Sequence, residues 1–373
     1  MATQLTNAQQ KALDFVYQKA TQNKSHDRER IQKILTSYET GCDVDDLIHA
    51  IFDLSQLTIN FHPDRLLTDG RSVSTALYEE GIYRNQFETK ISNGGLTAFA
   101  GGDRDKWEEV MLGRAYQARG VTEAERPKYG GLNLMNYSDG ACPRFGSCHL
   151  RLKKHVVRRA TLLFGDSFSE PHDIGTANAF EPVLAGLLEE IQAHGNALGR
   201  KNVAVPTFVN ALLDADDTRE RFFQRSQGHA LDDYIEAQIH SDLRIGDDVD
   251  ALVADPSFQN TTIGEILTAT AHRYGFPLEW HEGFVLSLDE VPADFRGPEM
   301  PHLARRVLEN HAAKNGYLDA ATIGLAAVSV VTNPQQWQDW GSPANTLQHI
   351  KYLWHILVVY GKPNIQIDQH HPS

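Results

Sequence analysis

The segment Tyr234-Ile235-Glu236-Ala237-Gln238-Ile239-His240 decides the fold, because it alternates polar and apolar side chains with the period of two that a β-strand requires. One face of this strand carries Tyr234, Glu236, Gln238 and His240, and the other face carries the two isoleucines and the alanine. An unpaired carboxylate in an apolar core is energetically costly. The polar face is therefore either solvated at the edge of a sheet or lines a cleft, and the residues alone leave both possibilities open.

Strand and helix patterns mix on either side of this segment, which predicts an α+β fold. Leu57, Ile59 and Phe61 alternate with polar residues and predict a strand. Residues 87–92 predict another strand, followed by a turn at Asn93-Gly94-Gly95. Further strands are expected at 148–152, 159–164, 249–253 and 283–288, and helices at 72–80, 107–119, 178–194, 303–314, 320–331 and 347–360.

Helical patterns at both ends of the chain predict its domain organisation. Residues 1–55 form an N-terminal helical segment, in which Asp43 can cap a helix over Val44–Leu54. Residues 56–292 form a mixed core that carries the chemistry. Residues 293–373 form a C-terminal helical segment. The two ends either hold a partner protein or stabilise the core, and the second is more common because flanking helices usually bury an apolar face.

Composition indicates an ordinary globular protein with an acidic surface. The 373 residues are 41% hydrophobic and carry a formal charge of −14, so a nucleic acid is an unfavourable partner. Three cysteines are too few for a disulfide framework and fit a reducing compartment. We expect a monomer without a cleaved signal peptide or a membrane span, either cytosolic or delivered into a host cell as an effector.

The run Phe61-His62-Pro63-Asp64-Arg65 is the first candidate for chemistry. Pro63 cannot continue the ladder of hydrogen bonds, so a strand ends here and a loop begins. The planar donor group of Arg65 can bind a diphosphate, and His62 can contact a ribose hydroxyl. The alternative is a local ion pair between Asp64 and Arg65 that only terminates the strand.

A second candidate is the segment 86–95, in which Ser92 precedes Gly94 and Gly95. The glycines let backbone approach a ligand closely, and the serine hydroxyl can position it. A turn built from favourable turn residues explains the same pattern. No metal is expected, because the histidines and cysteines lack ligand spacing, and the sequence holds neither a serine-hydrolase elbow nor a P-loop.

Taken in order, several of these segments resemble the CteC-type family of bacterial effector ADP-ribosyltransferases. The resemblance covers residues 55–300 or so, and only the ordered set is specific. Its members are Phe61 to Arg65, Gln86 to Thr89, Ser92 to Gly95, Arg126 to Asn133, Phe164 to Ser167, Tyr234 to His240 and Asp255 to Phe258.

The resemblance implies a mono-ADP-ribosyltransferase with a split β core flanked by helical segments. It implies transfer of ADP-ribose from NAD+ to a threonine of ubiquitin, which blocks host ubiquitination. It places the catalytic carboxylate on Glu236. Its implied NAD+ contacts are Arg65 or His62, a hydroxyl from Ser92 or Thr89, the nicotinamide-stacking ring of Phe87, and Gln238 beside the catalytic residue.

The sequence departs from the common pattern of such enzymes at two places. A Ser-Thr-Ser run is missing, and the late motif Glu236-Ala237-Gln238 holds one carboxylate instead of two. A single carboxylate suits a hydroxyl acceptor better than a guanidinium, which favours an anion beside it. Either Glu236 or an acid such as Asp233 could accept the proton of that hydroxyl.

Two other functions remain open at this point. With water as the acceptor, the same NAD+ site would make the protein an NAD+ glycohydrolase toxin. The chain could also be a non-enzymatic binding module in which Glu236 and Arg65 have only structural roles.

Overall fold

The computed structural model describes residues 4–91, 97–167, 173–214, 219–223, 226–311 and 316–364. These residues form two compact units, each built from three stretches of chain. The first unit comprises Met1–Ile59, Ile82–Cys142 and Arg151–Asp250, and the second comprises Asn60–Gly81, Pro143–Leu150 and Ala251–Ser373. The sequence-based division at residues 55 and 292 stays a prediction.

Antiparallel strands form the centre of the first unit. The strands of the molecule are β1 Leu57–Phe61, β2 Ile82–Tyr83, β3 Lys128–Leu132, β4 Cys148–Leu152, β5 Ala160–Phe164, β6 Ile174–Thr176, β7 Ile235–Ile239, β8 Leu243–Arg244, β9 Val249–Ala254 and β10 Leu278–Trp280. In the first unit the order is β1-β3-β7-β5-β6, and every neighbouring pair is antiparallel. This arrangement puts β7 in the interior of the sheet, with a strand on each side.

The two glycines of β3 allow close packing around that strand. A Cβ atom on Gly130 would lie 2.4 Å from the backbone oxygen of Thr58, and one on Gly131 would lie 2.7 Å from Sγ of Cys142. Real Cβ atoms do not approach other atoms so closely, so a larger residue at Gly130 would displace the neighbouring backbone and one at Gly131 would displace the Cys142 side chain. The Gly130-Gly131 pair therefore serves the packing of the sheet.

Helices flank these strands. They are α1 Asn7–Ser37, α2 Val44–Leu54, α3 Val73–Glu80, α4 Gln86–Thr89, α5 Asp103–Met111, α6 Glu181–His194, α7 Val205–Leu213, α8 Arg219–Phe222, α9 Ile245–Asp248, α10 Thr262–Tyr274, α11 Met300–His311, α12 Ala320–Thr332 and α13 Pro343–Tyr360. The α+β class is confirmed, as a mostly antiparallel sheet flanked by helices.

Local signals placed several helix ends correctly. Asp43 caps α2 by accepting a hydrogen bond from the backbone N–H of Asp45 at 2.7 Å. Gly81 ends α3 in the left-handed region, at φ 67°. The N-terminal helix α1 begins at a capping box of Thr6 and Gln9 and runs for 31 residues.

The second unit contains β9 and β10 and the C-terminal helices. These two strands are parallel, with Leu278 opposite Leu252, and β4 follows β9 in the strand order. Helix α10 packs on α3, where the Tyr274 hydroxyl donates to the backbone oxygen of Tyr78 at 2.9 Å. Helices α11, α12 and α13 pack against one another and bury apolar side chains.

Three predictions of secondary structure are wrong. The predicted strand at 87–92 is the short helix α4, because Asn85 accepts hydrogen bonds from the N–H groups of Phe87 and Glu88 and caps a helix there. The predicted strand at 283–288 forms only isolated bridges, Val285 with Lys362 and Leu286 with Leu318. The predicted helix at 107–119 is instead α5, which begins earlier and ends at Met111.

No helix in the described part of the chain is both long enough and apolar enough to cross a lipid bilayer.

Candidate active site

The strand β7 carries the candidate catalytic residue in the interior of the first unit. Glu236 lies opposite Gly131 of β3 and opposite Leu163 of β5, and all five residues of β7 are buried. The possibility that the polar face is solvated at a sheet edge is therefore wrong. A buried polar face must find partners within the protein or its ligand.

Hydrogen bonds along this face form a continuous chain that ends on Glu236. The Gln238 side-chain amide donates to Oε1 of Glu236 at 2.7 Å, and Thr161 donates its hydroxyl to Oε1 of Gln238 at 2.7 Å. Nε2 of His240 lies 3.2 Å from the Thr161 hydroxyl oxygen. Nδ1 of His240 lies 2.5 Å from the hydroxyl of Tyr116, whose ring is parallel to the imidazole.

The donors of this chain can all point in one direction. The hydroxyl of Thr161 is already donated to Gln238, so His240 donates Nε2–H to its oxygen and accepts the Tyr116 hydroxyl at Nδ1. Burial lowers the pKa of His240 to about 3, which keeps the imidazole in the neutral form that this pattern requires. The chain therefore fixes the orientation of the Gln238 amide toward Glu236.

The pKa of Glu236 is strongly raised. Its side chain is only 5% exposed, and burial, with a smaller contribution from the charge of Asp166, raises its pKa to about 7. The backbone N–H of Ser167 at 3.4 Å, the charge of Arg104 and the Gln238 amide oppose this rise. A carboxyl group with a pKa near neutral pH can both stabilise positive charge and exchange a proton.

Three polar residues of intermediate exposure adjoin this carboxylate: Arg104, Tyr129 and Asp166. The guanidinium of Arg104 lies 4.4 Å from the ring centroid of Tyr129. The charge of Glu236 helps to raise the pKa of both side chains. The Tyr129 hydroxyl donates to Oε1 of Glu108 at 2.9 Å. On the other side, the Tyr234 hydroxyl donates to Asp166 at 3.0 Å. Each of Arg104, Tyr129 and Asp166 retains intermediate exposure.

Sequence reasoning assigned no role to most of these neighbours. Tyr129 and Asp166 do lie in two of the segments that carry the family resemblance, Arg126 to Asn133 and Phe164 to Ser167. The resemblance gave neither residue a function. Thr161 stands opposite Gln238 in the β5–β7 register, which only the strand pairing reveals. Tyr116 and His240 are 124 positions apart, and no local pattern links them.

Phe87 and Thr89 have roles within the fold. The ring of Phe87 is 2% exposed and packs under the guanidinium of Arg126, which lies 4.4 Å from its centroid. Arg126 in turn pairs with the buried Glu108 at 2.8 Å. The Thr89 hydroxyl donates to the backbone oxygen of Asn85 at 3.0 Å, inside helix α4. The remaining candidate of this group, Ser92, lies outside the described residues.

Asp233 is also engaged within the fold. Its carboxylate accepts the backbone N–H of Gly199 at 2.7 Å, and burial raises its pKa. It therefore holds a loop of the first unit, whereas Glu236 has the directed chain of donors described above.

His62 and Arg65 lie in the second unit, directly after the end of β1. The imidazole of His62 packs edge-on against Trp354, with ring centroids 5.1 Å apart. The backbone oxygen of Arg65 accepts the N–H of Val73, which ties the loop to the start of α3. Among the described residues no hydrogen-bond acceptor is seen for the Arg65 guanidinium, whose pKa is lowered by burial.

Asp64 completes this loop. It is 7% exposed, and burial raises the pKa of its carboxyl to about 6, although the charge of Arg65 opposes that rise. A Cβ atom on Gly324 of α12 would collide with this carboxylate, so a larger residue there would force the Asp64 side chain to move. Asp64 and Arg65 thus interact through charge, as the alternative interpretation of this segment supposed. The N–H groups of the guanidinium nevertheless have no hydrogen-bond acceptor among the described residues.

Within the described residues, no three His, Cys, Asp or Glu side chains come together as metal ligands would.

Comparison with known proteins places these features in a wider group. The chain is similar to the "Gene 2 protein" of Mycobacterium phage D29, with 24% identity over 241 residues, which cover 63% of this chain and 76% of that protein. A family model described as "Protein of unknown function (DUF3626)" matches residues 56–360. This match includes β1, β7 and helices α11 to α13, so it spans both units. The chain belongs to the DUF3626 family.

Proposed function

We propose that this protein is a mono-ADP-ribosyltransferase that transfers ADP-ribose from NAD+ to a threonine hydroxyl of ubiquitin. The observation that carries the proposal is Glu236, a carboxylate on an interior strand with a pKa of about 7 and a chain of donors directed at it. Shifted carboxyl groups that are held by ordered hydrogen bonds cluster at catalytic sites. The phage relative and the family description name no activity, so the proposal rests on this site and on the family resemblance of its motifs.

The proposed reaction breaks the bond between nicotinamide and C1′ of the ribose and forms a bond from the threonine oxygen to C1′. The electron pair of the broken bond leaves with nicotinamide, and the ribose acquires positive charge in the transition state. An ionised Glu236 stabilises this charge and holds the 2′-hydroxyl. The proton of the threonine hydroxyl passes to the Glu236 carboxylate as the new bond forms.

The environment of Glu236 suits both parts of this role. A carboxyl group with a pKa near 7 is substantially ionised at neutral pH, and it is a stronger base than an exposed glutamate. The Gln238 amide binds Oε1 of the carboxylate, and Oε2 accepts only the longer hydrogen bond from the Ser167 N–H at 3.4 Å, so we propose that the substrate binds at Oε2. Gln238 carries no charge, so the site does not offer a second anion to attract a guanidinium acceptor.

For the cofactor, we propose that Arg65 binds the diphosphate of NAD+ and that His62 assists it. A partly buried guanidinium whose donors face no acceptor in the described residues is prepared for an anionic ligand. Ser92 is proposed as the hydroxyl near the nicotinamide ribose. As an effector acting on ubiquitin, the protein would block ubiquitination after delivery into a host cell.

Labelled NAD+ tests the proposal when it is incubated with the full chain in the presence and absence of ubiquitin. We expect label on ubiquitin, release of nicotinamide in equal amount, and a modified threonine in the peptide mass spectrum. If free ADP-ribose is released at the same rate with and without ubiquitin, and ubiquitin carries no label, the protein is instead an NAD+ glycohydrolase. Absence of NAD+ turnover under both conditions would contradict both activities.

A further inference from the structure

Helix α5 presents two charged side chains to strand β3 of the first unit. Arg104 and Glu108 are one helical turn apart on α5, so they lie on the same face of that helix. The guanidinium of Arg104 lies 4.4 Å from the ring centroid of Tyr129, and Oε1 of Glu108 accepts the hydroxyl of the same tyrosine at 2.9 Å. Both side chains therefore contact one residue of the strand.

The register of the sheet puts this contact on the face that carries Glu236. Tyr129 of β3 stands opposite Gln238 of β7, and Gly131, two positions further, stands opposite Glu236. Residues that are paired in this way point to the same face of a sheet, as do residues two positions apart on one strand. Because Arg104 stacks on Tyr129, it lies on the face from which the Glu236 carboxylate projects.

Arg104 is not committed to Glu108 alone. Glu108 is fully buried and pairs with Arg126 at 2.8 Å, in addition to its hydrogen bond from Tyr129. The positive charge of Arg104 lowers the pKa of both Glu108 and Glu236, so it favours the ionised form of each carboxyl group. Arg104 thus connects the buried ion pair of α5 with the candidate catalytic residue.

The charges that face Glu236 oppose one another. Burial and the negative charge of Asp166, which follows β5, both raise the pKa of Glu236. The hydrogen bonds that Glu236 accepts among the described residues come from neutral donors, the Gln238 amide at 2.7 Å and the Ser167 N–H at 3.4 Å. Arg104 contributes a full positive charge on the opposing side.

The other titratable groups on this face are neutral. Tyr129 and Tyr234 keep their hydroxyl protons, since they donate them to Glu108 and Asp166. Burial lowers the pKa of His240 to about 3, so this imidazole carries no charge near neutral pH. The balance between the ionised and the protonated form of the Glu236 carboxyl is therefore sensitive to the charge on Arg104.

We propose that Arg104 is a positioning residue that keeps the Glu236 carboxylate ionised for the transfer reaction. Its effect on the rate rests on the proposed function, whereas its effect on Glu236 does not. The ring of Tyr129 holds the guanidinium through a cation–π contact, which is stronger where water is excluded. Arg104 acts through its charge on Glu236 and does not need to contact NAD+.

Carbon-13 NMR titration of the Glu236 carboxyl in glutamate-labelled protein tests this effect without turnover, with Glu236→Gln to assign the resonance. We expect the midpoint in Arg104→Gln to lie about one pH unit above that of the wild type, because a nearby opposite charge favours the ionised form by roughly that amount. Arg104→Lys keeps the charge and should titrate close to the wild type.

Lys106→Gln is the matched control for Arg104→Gln. It removes the same charge from the same helix, but the Lys106 side chain is 65% exposed and lies 3.6 Å from Asp103. Its Glu236 midpoint should equal that of the wild type. The inference is overturned if Arg104→Gln leaves the midpoint unchanged, or if Lys106→Gln raises it by as much.

The pH dependence of ubiquitin labelling gives a second measurement. For Arg104→Gln, kcat/KM should be about tenfold below the wild type at pH 6 and should approach it at pH 9, because below the midpoint the ionised fraction changes about tenfold per pH unit. Structural damage alone would lower the rate equally at every pH, and that result would contradict the inference. Absence of labelling by the wild type would contradict the proposed function, while the NMR midpoints would still decide whether Arg104 controls Glu236.

Discussion

Gln238 donates its side-chain amide to Oε1 of Glu236 at 2.7 Å, from a position two residues further along the same strand. Both residues are buried, and the strand has a neighbour on each side, so neither side chain can turn to solvent. The orientation of the amide is fixed in turn by Thr161, which donates to its oxygen. The carboxylate is therefore positioned by residues that do not themselves need to touch the substrate.

Thr161→Val should weaken this positioning. The substitution keeps the shape of the side chain but leaves the Gln238 oxygen and the His240 N–H without their partner, at a cost of about 1–3 kcal/mol for each buried group. We expect a lower free energy of unfolding in urea and a slower initial rate of ubiquitin labelling. Thr161→Ser keeps the hydroxyl and should restore the labelling rate. Equal rates for the valine and serine variants would show that Thr161 does not position the carboxylate.

Glu236→Gln should change how stability depends on pH. Because the folded pKa of Glu236 is raised to about 7, the folded state favours its protonated form. Wild-type stability that is present at low pH is therefore lost as the pH rises from the unfolded pKa toward 7. The glutamine variant has no such loss. Between pH 5 and pH 8 its stability relative to wild type should increase by roughly 2 kcal/mol in urea unfolding.

A pH-independent difference between the glutamine variant and wild type would contradict the raised pKa of Glu236. Glu29→Gln serves as the control for this comparison, because Glu29 is an exposed residue of α1. Its stability relative to wild type should not vary over the same pH range.

Phe87 should matter for stability and not for NAD+ affinity. Phe87→Ala removes a buried ring and should cost about 3–5 kcal/mol of unfolding free energy, since it also uncovers the guanidinium of Arg126. Phe87→Leu fills much of the same volume and should fold. Calorimetry with NAD+ should give the same affinity for Phe87→Leu as for wild type. A clear loss of affinity in that variant would restore the interpretation of Phe87 as a ring that stacks on nicotinamide.

Arg65→Ala should weaken NAD+ binding. Removing a charge-assisted contact to the diphosphate corresponds to about a tenfold to hundredfold loss of affinity. The fold should remain intact, because the loop is held by the backbone hydrogen bond from Val73 to Arg65, which alanine keeps. Calorimetry with NAD+ measures the effect, with Arg305→Ala as the control because Arg305 is an exposed base on α11. An unchanged affinity in Arg65→Ala would remove Arg65 from the cofactor site.

The parts of the fold that local chemistry determines could be predicted from the sequence. Asp43 and Gly81 marked helix ends, and the alternation that begins at Leu57 predicted β1. The prediction of a strand at 87–92 is wrong because Asn85 caps a helix there, and this cap has more influence on the local structure than the strand-like pattern. Asn85 and Glu88 form a capping box, a spacing that is visible in the sequence and that predicts a helix start.

The environment of the site could be predicted only in part. The alternation in β7 identified Glu236 as unusual, but it could not decide between a solvated edge and a buried strand, because burial is set by β3 and β5 from distant parts of the chain. The pairing of Thr161 with Gln238 also depends on strand register.

The role of Glu236 is tested most directly by the initial rate of ubiquitin labelling from NAD+, measured for wild type, Glu236→Gln and Glu29→Gln under identical conditions. We expect Glu236→Gln to fold, to bind NAD+, and to lose at least about a hundredfold in rate, because it removes the charge and the base that act on the transition state. Glu29→Gln should label ubiquitin at the wild-type rate. A folded Glu236→Gln variant that labels ubiquitin as fast as the wild type would contradict the assignment of Glu236 as the catalytic carboxylate.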